Sequence, residues 1–82
     1  MKTYTFRATI EPDENDAFHG FVPSLPGCHT YGGTIEETKF NLREAIACHV
    51  QGLLKDKCPI PQENDTIELI QTFSEKEVAL AA

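Results

Sequence analysis

With 82 residues the chain has room for one domain, whose core is small enough that association with another subunit would help to stabilise it. Thirteen acidic residues against seven basic ones leave a net charge of −6, which counts against nonspecific nucleic-acid binding and favours a basic protein as partner. The 40% hydrophobic share excludes a disordered chain, and the lack of a basic leader or of an apolar run of membrane-spanning length points to the cytoplasm.

The first predicted element runs from Lys2 to Ile10. Tyr4, Phe6, Ala8 and Ile10 fall on one face and Thr5, Arg7 and Thr9 on the other, the period of two of a half-buried strand. Glu11-Pro12-Asp13-Glu14-Asn15-Asp16 is turn chemistry, and Phe18 to Val22 predicts a second strand, so the pair makes a hairpin with an acidic tip. Pro23-Ser24-Leu25-Pro26-Gly27 predicts a connection, because its prolines lack a ladder donor and Gly27 admits a positive φ. Cys28 to Tyr31 predicts a short third strand, ended by Gly32-Gly33.

A helix follows. Thr34-Ile35-Glu36-Glu37 is a capping box, in which Thr34 and Glu37 are expected to satisfy each other's backbone N–H groups. Ile35, Leu42, Ala45, Ile46, His49, Val50 and Leu53 form one apolar stripe at helical spacing, and the helix should fade near Lys55, ahead of Pro59 and Pro61. Thr66 to Phe73 predicts a last strand, with Ile67, Leu69 and Phe73 on one face and Ile70 on the other.

The order β-β-β-α-β places the chain in the α+β class, an antiparallel sheet with one helix packed on one face. Residues 1–73 form the domain and 74–82 a tail expected to be flexible. The last strand is expected at the edge of its own sheet or against another subunit. Phe40 lies on the flank of the helix opposite the stripe, beside Ala47 and Leu54, and with Ile70 makes an expected oligomer contact, for a dimer or a tetramer.

Cys28, Cys48 and Cys58 are an odd number without a framework spacing and read as reduced thiols. Two sit in Cys-His pairs, but adjacent residues diverge on strand and helix alike and there is no Cys-x-x-Cys grip, so no metal or cofactor is expected. His19, His29 and His49 read as scattered, with His49 on the apolar stripe as a core histidine.

Val22-Pro23, Leu25-Pro26-Gly27-Cys28, Gly32, Thr34, Glu36-Glu37 and Glu44-Ala45-Ile46 occur in one ungapped order. This pattern resembles the HicB family, the antitoxin half of the HicA–HicB toxin–antitoxin systems, over roughly residues 3 to 73. Thr38 stands where the family usually has a small apolar residue, and Lys39 and Phe40 where it more often has an apolar residue followed by a polar one, departures that bear on the helix's partner-facing surface and not on the fold. The resemblance implies a partial RNase H-like fold and a role in neutralising HicA, a small basic ribonuclease that cleaves mRNA through a histidine, by covering its active site.

For that contact the candidates are the acidic tip (Glu11, Asp13, Glu14, Asp16) and Glu36 and Glu37 at the helix start. Nine residues, 74–82, follow Phe73, too few for a helix-turn-helix, so the chain resembles the short form and is not expected to bind an operator alone. The ending Leu80-Ala81-Ala82 resembles the tag that marks stalled bacterial products for the ClpXP protease, an expected degradation signal.

Two other classes compete with the antitoxin. One is an orphan HicB-like module that binds another protein or itself. The other is a Mg-dependent RNase H-like nuclease, which would need converging carboxylates on two metal ions. No acidic residue precedes Glu11 in the first strand, and P-loop, Gly-x-Ser-x-Gly and His-Glu-x-x-His patterns are absent, so the chain reads as a binding protein and not an enzyme.

Overall fold

The computed structural model describes residues 2–61 and 69–80. Three antiparallel strands, β1 (Thr9–Pro12), β2 (Phe18–Phe21) and β3 (His29–Gly32), form one sheet in the order β1-β2-β3, and helix α1 (Ile35–Lys55) is laid across it. A second helix, α2 (Glu75–Leu80), occupies the segment read from the sequence as a tail.

The strands are shorter than the alternation predicted, and the register gives the reason. Pro12 pairs with Phe18 at the hairpin end and Thr9 with Phe21 at the other. Val22-Pro23 then turns away from the sheet, so the residues before Thr9 have no β2 partner to continue the ladder. Tyr4 and Phe6 remain half-buried without being in a strand, while Ala8 is exposed. The predicted last strand is not found where it can be seen. Residues 69–73 are in no strand, and Leu69, Ile70 and Phe73 are exposed; Thr66 and Ile67 lie outside the described residues. Apolar alternation without a burying neighbour does not sustain a strand.

The segment linking β2 to β3 is two consecutive turns. Leu25 N–H donates to Val22 O at 3.0 Å and Cys28 N–H to Leu25 O at 3.0 Å, while Val22 N–H closes onto Cys28 O at 3.2 Å. Pro26 presets the second turn, and Gly27 has the φ of +85° that a type II turn requires at that place. This folding carries Val22, Leu25 and Cys28 inward, where with Leu42 and Val50 they form the buried core. The proline-glycine signature is therefore core and scaffold. Burial pushes the Cys28 thiol pKa up, with the charge of Cys48 adding in the same direction, so Cys28 stays protonated. Cys48 and Cys58 are exposed.

Both ends of α1 are fixed by local hydrogen bonds. Thr34 is the N-cap and its Oγ1 accepts from Glu37 N–H at 3.0 Å. The return bond differs from the predicted box: Glu37 Oε1 accepts from Gly33 N–H, one residue before the cap, at 3.3 Å. At the other end Cys58 N–H reaches Leu53 O at 2.8 Å and Lys57 N–H reaches Leu54 O at 3.2 Å, the paired bonds of a Schellman cap. That cap holds Lys57 at φ 56°, a left-handed conformation in which glycine is favoured. Lys57→Gly should stabilise the domain by about 0.5–1 kcal/mol; a urea midpoint that stays or falls would count against this reading of the cap.

The apolar stripe is largely as spaced. Leu42 and Val50 are buried and Ala45, Ile46, His49 and Leu53 half-buried, but Ile35, in the first turn, is 50% exposed. Thr38, a polar departure from the family's usual small apolar residue, is fully buried, at 0% exposure. It lies where the helix crosses closest to the sheet. A Cβ on Gly20 would stand 3.0 Å from Thr38 Cγ2, and one on Gly32 would stand 2.5 Å from Thr38 Oγ1 and 2.7 Å from its backbone N. The hydroxyl is satisfied within the helix, donating to Thr34 O at 2.8 Å. No helix among the described residues is long and apolar enough to cross a membrane.

Candidate protein-binding surface

The acidic candidates gather at one end of the sheet. Pro12, Phe18 and Gly32 are register partners across the three strands. The hairpin tip that follows Pro12 and the helix start that follows Gly32 therefore leave the sheet at the same end. The tip is a single 3-10 turn, Glu14–Asp16, closed by Asp13 N–H donating to Ala17 O at 2.8 Å. Asn15 and Asp16 take left-handed φ values of 61° and 59°, which Asn and Asp tolerate better than most side chains.

The six carboxylates do different work. Asp13 Oδ1 accepts from Glu14 N–H at 2.9 Å and Glu37 from Gly33 N–H, so these two hold local backbone. Glu36 lies 3.9 Å from Lys39 Nζ in an exposed pair, and Glu11 Oε1 lies 3.5 Å from His19 Nδ1. The carboxylates of Glu14 and Asp16 make no hydrogen bond or ion pair among the described residues and point charge outward. An exposed pair such as Glu36–Lys39 contributes only about 0–1 kcal/mol to stability, so these charges are available to a partner.

The expected oligomer contact is brought together in part. Phe40 and Leu54 are 64% and 53% exposed on the outer flank of α1. Ala47 lines an apolar groove of about 830 Å³ between that helix and residues 4–10, together with Arg43, Ile46 and Val50. Ile70 sits elsewhere, 98% exposed beside residues 7–10. Leu80 ends α2 and is exposed, while Ala81 and Ala82 lie outside the described residues.

A ring cluster was missed in the sequence. His19 and His29, read as scattered, meet on the sheet face away from α1. His19 stacks on Tyr31 with centroids 4.8 Å apart and on Phe21 at 5.3 Å, and His29 stands edge-on to His19 at 5.5 Å. The signal was the alternation itself, since His19 and Phe21 share one face of β2, and His29 and Tyr31 one face of β3. Which strands were neighbours, and in what register, decided the meeting.

This fold has relatives. The family model of the HicB-like antitoxin of bacterial toxin–antitoxin systems matches residues 6–81. A UPF0150 protein of Synechocystis is 34% identical over 61 residues, which is 74% of this chain and 77% of that one. One from Thermoplasma acidophilum is 37% identical over 59 residues, 72% of this chain and 86% of that one. Among solved structures, the N-terminal domain of Burkholderia pseudomallei antitoxin HicB superimposes with a TM-score of 0.59 and 30% identity, covering 90% of this chain and 79% of that one. With a family model that spans nearly its whole length and a HicB domain that shares its three-stranded sheet and helix, the chain belongs to the HicB-like antitoxin family.

Proposed function

We propose that this chain neutralises a small, basic, mRNA-cleaving toxin of HicA type by binding directly over its active site, in the cytoplasm and without catalysis of its own. The observation that carries the reading is the gathering of Glu11, Asp13, Glu14, Asp16, Glu36 and Glu37 at one end of a protein of net charge −6. Such a surface suits a site built to hold phosphates, and opposite charge speeds the encounter. Co-expression with a small basic protein encoded beside this chain should restore growth that the basic protein alone stops, and the two should co-elute on gel filtration. Arrested growth and separate elution would refute the reading, and the absence of such a neighbour would favour an orphan binding module.

Self-association through the outer flank of α1 accompanies this proposal, on the exposure of Phe40 and Leu54. The same column run would show it as a dimer or tetramer that Phe40→Ser with Leu54→Ser converts to monomer; an unchanged elution volume would rule that flank out.

A short life is the remaining part of the proposal, carried by Leu80-Ala81-Ala82. Replacing Ala81 and Ala82 with aspartate should lengthen the half-life in bacteria at least several-fold in a chase experiment. An unchanged half-life would remove the degradation signal.

A further inference from the structure

The sheet has two faces and α1 covers one of them. Gly20 and Gly32 lie under Thr38 on the covered face. Strand alternation then puts Thr9, Glu11, His19, Phe21, His29 and Tyr31 on the other. Two cross-strand rows result, Glu11–His19–Tyr31 and Thr9–Phe21–His29.

The chemistry of these rows is specific. Tyr31, His19 and Phe21 are nearly parallel, with interplanar angles of 26° and 25°, and His29 meets Tyr31 edge-on at 87°. Tyr31 is 51% exposed, although large aromatics are the residues a small domain most gains from burying. Glu11 places a carboxylate at the end of this row, 3.5 Å from His19, and the acidic tip continues from the same strand. A planar cation fits such a strip better than any other group. A guanidinium lays its face on an aromatic ring while its edge forks onto a carboxylate, whereas an ammonium is a strongly hydrated point charge.

We propose that this face, on which Tyr31 and His29 are exposed among the described residues, is a guanidinium-binding surface, on which a basic protein lays arginine side chains across Tyr31 and His19 with Glu11 as counter-charge. The inference rests on the reading of the partner as a basic protein and names the surface that receives it. Charge complementarity selects this occupant: nucleic acid would bring phosphates to Glu11 and the acidic tip, and a second copy would bring carboxylates against carboxylates.

The test uses the intact chain with tetra-arginine and tetra-lysine peptides of equal charge, followed by fluorescence anisotropy of the labelled peptides. Tetra-arginine should bind about fivefold tighter than tetra-lysine, and Tyr31→Leu, which keeps an apolar side chain but removes the ring, should abolish the difference. Glu11→Gln should weaken both. Equal binding of the two peptides, or a preference that survives Tyr31→Leu and His19→Leu, would overturn the proposal. So would tight binding of an oligouridine at this face, or loss of the Tyr31-dependent signal through self-association on this face. With the basic toxin as probe, Tyr31→Leu should weaken binding at least tenfold. A toxin bound equally by wild type and variant refutes this surface and leaves the antitoxin reading standing. A toxin bound by neither, with arginine selectivity intact, does the reverse.

Discussion

Gly32→Ala should cost the domain about 3 kcal/mol or more. The added Cβ would stand 2.5 Å from Thr38 Oγ1, 2.7 Å from Thr38 N and 3.0 Å from Thr38 Cα. A side chain can rotate aside, but the second and third obstacles are helix backbone, so α1 must lift from β3. Because Gly32 pairs with Phe18 and the next residue's N–H binds the Glu37 carboxylate, lifting the helix strains the cap as well. In a domain this small, whose whole stability is on the order of 4–12 kcal/mol, the melting temperature should fall by roughly 12 °C or more.

A double substitution separates steric from conformational causes. Thr38→Ala should not rescue Gly32→Ala, since backbone remains in the way. It should rescue much of Gly20→Ala, whose Cβ meets only side-chain atoms, Thr38 Cγ2 at 3.0 Å and Leu42 Cδ2 at 3.3 Å. Equal rescue of both glycine variants in thermal melts would contradict the close helix–sheet approach described above.

Leu25→Ala is expected to be at least as severe, at about 2–5 kcal/mol. Leu25 is 1% exposed, yet it belongs to a loop between two prolines, not to a strand or helix. Its backbone donates to Val22 O and accepts from Cys28 N–H, so the two turns hold it in place and prevent the loop from collapsing into the cavity. Relaxation being limited, the cost should sit in the upper half of that range. The control is Leu69→Ala, where a 74% exposed leucine should cost no more than about 1 kcal/mol in the same urea titration. Similar midpoints for the two variants would mean that the loop is not part of the core.

Much of the fold was legible because its local signals agree with one another. The capping box began α1 at Ile35 and the approach to proline matched its end at Lys55. The hairpin tip lay where Pro12, Asp13 and Asn15 break a strand. What could not be read depended on contacts between elements. Lys2 to Ala8 alternates as well as any strand, but β2 is too short to pair with it. Thr38 reads as a polar departure from a small apolar residue, and only the fold places Gly20 and Gly32, distant in sequence, beneath it. The ring cluster is invisible for the same reason: His19 and Tyr31 are opposite one another only through the register that the double-turn loop sets. The acidic residues were legible as a composition, and their convergence at one end follows from topology.

We propose that this chain silences a basic ribonuclease by occupying its active site. The most direct measurement is the RNA-cleavage activity of a purified small basic protein of HicA type encoded beside this chain, titrated with this chain. Activity should fall in proportion to added chain and be extinguished at a fixed small-integer ratio, and RNA substrate in excess should slow the inhibition. Full cleavage activity in a tenfold molar excess of the folded chain would contradict it.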